Sequence, residues 1–192
     1  MPITLCRSAE ITVVLPRERA IELFTPEGER RWAEGWNPRY PQPDRRDGPG
    51  AVFTTAHGSH EATWIMVDHG PDGVRYARET HGMTAGTVAV DVVGSHEHAT
   101  RLRVTYDVTA LSAAGEAWLA AFDDGFDAEI ASWAVAIEAA LSQPSRPMRA
   151  GAGHAHERSH PAGSGAGAPR TPARWLMAWS AKSAKAIFSI SR

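Results

Sequence analysis

The sequence predicts an α+β fold, in which a curved antiparallel sheet of six to seven strands wraps round a long C-terminal helix. Three observations predict it. Five short segments between Gly50 and Ala110 are rich in β-branched and aromatic residues and are separated by turn residues. The last of these, Thr100–Thr109, alternates cleanly. Leu102, Val104, Tyr106 and Val108 fall on one side, and Arg101, Arg103, Thr105 and Asp107 on the other. Finally, residues 113–142 carry Trp118, Leu119, Phe122, Phe126, Ile130, Trp133, Ile137 and Leu141 at three- and four-residue spacing, the stripe of an amphipathic helix.

Each element follows from local chemistry. Glu10–Leu15 (EITVVL) is β-branched and reads as the first strand. Pro16 opens a short helix, since its missing N–H costs nothing in a first turn. Thr25-Pro26-Glu27 repeats the signal with a Thr cap, and this second helix is expected to run to about Ala33 and stop at Gly35. Residues 37–50 hold four prolines and two glycines and read as a long irregular loop with one short strand near Tyr40. The strands Ala51–His57, Glu61–Asp68, Val74–Thr80, Thr87–Val93 and Thr100–Thr109 follow. Their expected turns are Gly58-Ser59, Gly70-Pro71-Asp72-Gly73, His81-Gly82-Met83 and Gly94-Ser95. Ser112 caps the long helix, which at 1.5 Å per residue spans about 45 Å, enough to cross a whole sheet. Asp123, Asp124, Asp127 and Glu138 lie off its apolar stripe and read as solvating charge.

Composition bounds the rest. The chain has 192 residues, 43% hydrophobic and 22% charged, so it can bury a core. One cysteine, Cys6, excludes an internal disulfide, Cys-rich zinc sites and iron–sulfur clusters. No apolar run is long enough for a signal peptide or a membrane span, and a cytoplasmic location is expected. Arginine outnumbers lysine 18 to 2, a composition read as that of a GC-rich bacterial genome. The net charge of −2 hides a split. Residues 1–143 hold 21 acids against 12 bases, and residues 144–192 hold one acid, Glu157, against eight bases. The acidic body argues against nucleic-acid binding.

The division into domains follows this split. Residues 1–143 form the folded domain. Residues 144–170, rich in Pro, Gly and His, read as a flexible linker, and 171–192 as a basic amphipathic helix. On that helix Trp175, Leu176, Trp179 and Ile187 share an apolar face opposite Lys182 and Lys185. The arrangement fits peripheral contact with the inner face of a membrane, or docking on the acidic body or a partner.

The element order is that of the helix-grip fold. The runs ITVVLPRERAIELFTPEGERRW (11–32), GAVFTT (50–55), ATW (62–64), TRLRVTYDVTALSAAG (100–115) and ASWAVAIEAAL (131–141) resemble the SRPBCC, or START-like, superfamily over about residues 8–143. That group includes polyketide cyclases and aromatases, lipid-transfer domains, pollen allergens and co-chaperone-like domains. The resemblance implies an apolar-ligand cavity between sheet and helix, with cyclisation or dehydration catalysed there in some members.

The residues that would line such a cavity follow from strand parity. Phe53, Thr55 and His57 come from one strand, Trp64 and Met66 from the next, then Tyr76, Arg78 and Thr80, then Tyr106. Phe122, Phe126, Ile130 and Trp133 come from the helix. Arg78 is the sharpest, because an inward arginine needs an acid or an anionic ligand. The expected function is binding of a small apolar molecule (a lipid, polyketide or aromatic metabolite) without a cofactor. The alternatives are a polyketide cyclase or dehydratase, in which His57 or Tyr76 would move protons and Arg78 would steady an enolate, and a non-enzymatic interaction module. A homodimer is compatible with either. HEATW (60–64) lacks the second histidine of a zinc protease, and His96 and His98 read as turn residues, so no metal site is assigned.

Overall fold

The computed structural model describes residues 3–57 and 60–143; the expected turn at Gly58-Ser59 and residues 144–192, for which a linker and a basic helix are expected, with Trp175, Leu176, Trp179, Lys182, Lys185 and Ile187, lie outside them. The elements are β1 (Thr4–Val13), α1 (Arg17–Glu22), α2 (Pro26–Glu29), β2 (Val52–His57), β3 (His60–Gly70), β4 (Gly73–Thr80), β5 (Thr84–His96), β6 (Ala99–Ala110) and α3 (Ala113–Ser142). The six strands form one antiparallel sheet in the order β1-β6-β5-β4-β3-β2. This is the predicted helix-grip architecture, with six strands. The short strand expected near Tyr40 is a single bridge between Arg39 and Thr54.

Several boundaries differ from the sequence expectation. β1 begins at Thr4 and ends at Val13, because its pairing with β6 runs unbroken from Thr4↔Thr109 to Val13↔Thr100. α2 is four residues long, and the chain continues in turns to Gly35. Gly94-Ser95 is not a turn. β5 continues to His96 and the reversal falls at Glu97-His98, while the register shifts between Val92 and Gly94. Glycine inside a strand marks such a bulge as readily as it marks a turn.

The inward faces alternate as predicted. Ala62, Trp64 and Met66 of β3, Val74 and Tyr76 of β4, and Leu102, Val104, Tyr106 and Val108 of β6 are buried. α3 covers this face but lies against β1 and β6, at one end of the sheet. Two contacts set its position. Arg7 of β1 pairs with Asp123 and Asp127 of α3, and its guanidinium lies 5.3 Å from the Phe126 ring centroid. Asp123 and Asp127 therefore do more than solvate the helix; they tie it to the edge strand.

The second contact is at the N-terminus of α3. Ser112 accepts a hydrogen bond from Gly115 N–H at 3.2 Å. The β4–β5 turn, with Gly82 at φ +67°, presents the Met83 carbonyl to this point, where it accepts from Leu111 N–H at 2.7 Å. A Cβ on Gly115 would overlap that carbonyl oxygen. No helix among the described residues is long and apolar enough to cross a membrane.

Gly115→Ala should therefore force α3 away from the β4–β5 turn. Overpacking of this kind costs about 1–3 kcal/mol, and the expected result is a lower urea midpoint with an unchanged m-value. An unaltered midpoint would show that the junction yields freely.

Candidate functional site: an aromatic cavity around an arginine

A cavity of about 550 Å³ opens between the sheet, from β2 to β6, α3 and the turns after α2. Its floor is built by cross-strand registry. Phe53, Trp64 and Arg78 are neighbours across β2, β3 and β4, and the next position in that row, on β5, is Gly86. A Cβ on Gly86 would overlap the Asp107 carbonyl oxygen, so β5 and β6 approach closely at that point. The neighbouring row carries Tyr76, Val88 and Tyr106.

The aromatic wall is held in place by hydrogen bonds as well as by packing. Phe53 stacks on Trp64 at 5.9 Å with planes 2° apart, and Tyr76 stands edge-on to both. Trp64 Nε1 donates to Thr55 Oγ1 at 2.9 Å. Trp36 meets the rings of Phe53 and Trp64 edge-on, and its Nε1 donates to the Pro26 carbonyl at 2.8 Å. Both of these indole N–H groups thus have a partner within the protein, and the ring faces are left for apolar contact.

Arg78 sits among these rings. Its guanidinium carbon lies 5.2 Å from the Trp64 ring centroid and 5.4 Å from that of Trp118, a cation–π clasp. Among the described residues it makes no ion pair. Burial pulls its pKa down from the ordinary value, with the Tyr106 hydroxyl opposing that shift. The side chain is half-buried, and it lines the cavity.

Three carboxyls in the cavity wall escape sequence reasoning: Glu34, which is exposed, and the half-buried Glu29 and Glu129. Glu29, the last residue of α2, has its pKa raised well above the ordinary value by desolvation alone. Glu129 of α3 is also raised by desolvation, against the opposing hydrogen bond it accepts from Trp133 Nε1 at 3.1 Å. Both lean toward the neutral acid, the form a carboxyl adopts when it loses water and gains no cation.

The remaining sequence-predicted residues fall into three groups. Phe53, Thr55, Trp64, Tyr76, Arg78, Thr80, Tyr106, Phe122 and Trp133 line the cavity. Met66, Phe126 and Ile130 are buried in the core and lie outside the cavity wall; the two helix residues belong to α3, which packs on β1 and β6. The side chain of His57 lies outside the described residues. Tyr76 is tied to the main chain, since its hydroxyl donates to the Phe24 carbonyl at 2.8 Å and burial raises its pKa far above the ordinary value. That bond fastens the sheet to the end of α1 and occupies the proton a catalytic tyrosine would give. Trp36, Trp118, Glu29 and Glu129 are lining residues that strand parity could not supply.

Solved structures share this fold. Truncated norcoclaurine synthase from Thalictrum flavum matches with a TM-score of 0.54 and 9% identity, over 75% of this chain and 97% of that one. The Mll3558 protein from Rhizobium loti matches with a TM-score of 0.51 and 20% identity, over 73% and 99%. Norcoclaurine synthase in complex with dopamine and hydroxybenzaldehyde matches with a TM-score of 0.50 and 12% identity, over 76% and 91%. At these identities the likeness is one of fold. No family model matches the chain, and no curated protein matches it in sequence.

Two measurements test the wall. Tyr76→Phe leaves the buried Phe24 carbonyl without its donor and should cost about 1–3 kcal/mol in chemical denaturation; an unchanged stability would mean that the bond contributes nothing. Glu29→Gln tests the sign of the carboxyl shift. The folded state holds the Glu29 proton more tightly than the unfolded chain, so wild-type stability should fall as pH rises from about 4.5, the ordinary value, toward the folded value. The glutamine variant lacks this loss. Its stability relative to wild type should grow with pH across that window, and a flat or shrinking difference would contradict the assignment.

Proposed function

We propose that the chain is an SRPBCC-type ligand-binding protein that holds a small, largely apolar, ring-bearing molecule in the cavity and fixes it through Arg78. The observation that carries this reading is the guanidinium clasped between Trp64 and Trp118 with no carboxylate partner among the described residues. A cation so placed attracts an acidic group, and the surrounding rings offer contact to an aromatic or alicyclic body. A norcoclaurine synthase of the same fold was solved with two small aromatic molecules, dopamine and hydroxybenzaldehyde, which supports the size and type of occupant.

A second reading, catalysis of the cyclase or dehydratase type, is favoured by one further observation. Glu129, held toward its neutral form, lines the same cavity as Arg78. A neutral acid and a fixed cation are what protonation and enolate stabilisation require. In that reading Glu129 or Glu29 moves the proton, since the Tyr76 hydroxyl is occupied.

The test is binding. Native mass spectrometry of the purified full-length protein should show an adduct of a few hundred daltons, whose extraction gives the ligand class. In parallel, Arg78→Met should weaken binding of biphenyl-4-carboxylic acid at least tenfold while leaving biphenyl itself nearly unaffected. Equal loss for both compounds, or for neither, would remove Arg78 from the site.

A further inference from the structure

We propose that the occupant of the cavity is amphoteric: an elongated ring-bearing molecule with an acidic group on Arg78 and an amine, or another N–H donor, at the carboxyls of Glu29 and Glu129. This rests on the cavity's being a ligand site and adds a second pole to it.

Three half-buried ionisable side chains of the cavity wall, Arg78, Glu29 and Glu129, do not neutralise one another; Glu34 and His60, which also line it, are exposed. Arg78 is held at the level of Trp118, near the start of α3. Glu129 lies eleven residues further along the same helix, roughly 16 Å along its axis at 1.5 Å per residue. Arginine and glutamate therefore stand at two ends of the space and form no ion pair among the described residues. Glu29 enters from α2, an element on the other side of the sequence, and makes no ion pair or side-chain hydrogen bond among the described residues.

What lies between the poles is aromatic: Phe122 and Tyr106, 5.0 Å apart, with Trp133 beyond. A charged or strongly polar group withdrawn from water needs a partner. A wholly apolar occupant would strip water from all three groups and supply none. An acidic occupant would complete Arg78 and leave both carboxyls to protonation. A molecule that is acidic at one end and carries N–H donors at the other completes all three groups. Phe53, stacked on Trp64, and the edge-on Trp36 then cover its apolar faces.

The test is calorimetric titration of the full-length protein with four matched probes. These are 4′-(aminomethyl)biphenyl-4-carboxylic acid, biphenyl-4-carboxylic acid, 4-(aminomethyl)biphenyl and biphenyl. The amino acid should bind at least tenfold more tightly than either singly substituted compound. In a Glu29→Gln, Glu129→Gln double variant, that advantage over the acid should vanish while the acid's own affinity is kept. Circular dichroism checks the variant's fold, and the wild-type series decides the matter even if the variant does not fold. The proposal is overturned if the plain acid binds wild type as tightly as the amino acid, or if the folded double variant keeps the tenfold preference. Binding of none of the four would overturn the cavity reading itself, and this inference with it. Binding of the acid that depends on Arg78, without an amine advantage, would overturn the inference alone.

Discussion

The cavity depends on α3 being fastened at one end of the sheet only. The helix is long enough to cover all six strands, yet its backbone packs on β1 and β6, and it meets β4 through the Trp118 ring on Arg78. Arg7 gives that attachment its direction, by joining Asp123, Asp127 and the Phe126 ring to the edge strand. The close approach of Gly115 to the Met83 carbonyl sets the helix's distance from the β4–β5 turn. With both fixed, sheet curvature opens a gap that side chains narrow without filling. A helix free to slide toward β3 would close the gap on the same aromatic residues and turn them into ordinary core.

The same constraint separates what is legible in the sequence from what is not. Alternation along Thr100–Thr109 and the stripe on residues 113–142 identify sheet, helix and the inward faces, because periods of two and 3.6 are properties of the backbone. Parity correctly turns Phe53, Trp64, Tyr76 and Arg78 inward. It cannot separate Phe126 and Ile130, which pack against protein, from Phe122 and Trp133, which face the cavity; that depends on the separation of layers contributed by distant parts of the chain. Glu129 adjoins Ile130 on the helix and looks like a solvated charge. Glu29 sits in a first-turn pattern that α2 explains without any cavity. Neither carries a local signal of burial. Gly94 reads as a turn and sits in a bulge, because a glycine's freedom serves both alike.

Arg78 and Gly86 illustrate how a polar site is built into an otherwise apolar layer. The arginine is inserted in a row that begins with Phe53 and Trp64, and its neighbour on β5 has no side chain. The missing side chain lets the β6 backbone come close to β5 beside the arginine, and the two indoles supply a polarisable cradle where a carboxylate would have cancelled the charge. A protein that used this arginine only for stability would have paired it, as Arg7, Arg17 and Arg103 are paired on other parts of the surface.

Four of the seven tryptophans of the chain, Trp36, Trp64, Trp118 and Trp133, line the cavity. Each indole is a fluorophore whose emission follows the polarity and quenching groups around it. The wall that would receive a ligand is thus also the chain's principal optical reporter. Entry of an absorbing aromatic molecule would place it within energy-transfer distance of several emitters at once. The protein therefore carries its own binding assay in its ultraviolet emission, with no label to attach and no tryptophan to introduce.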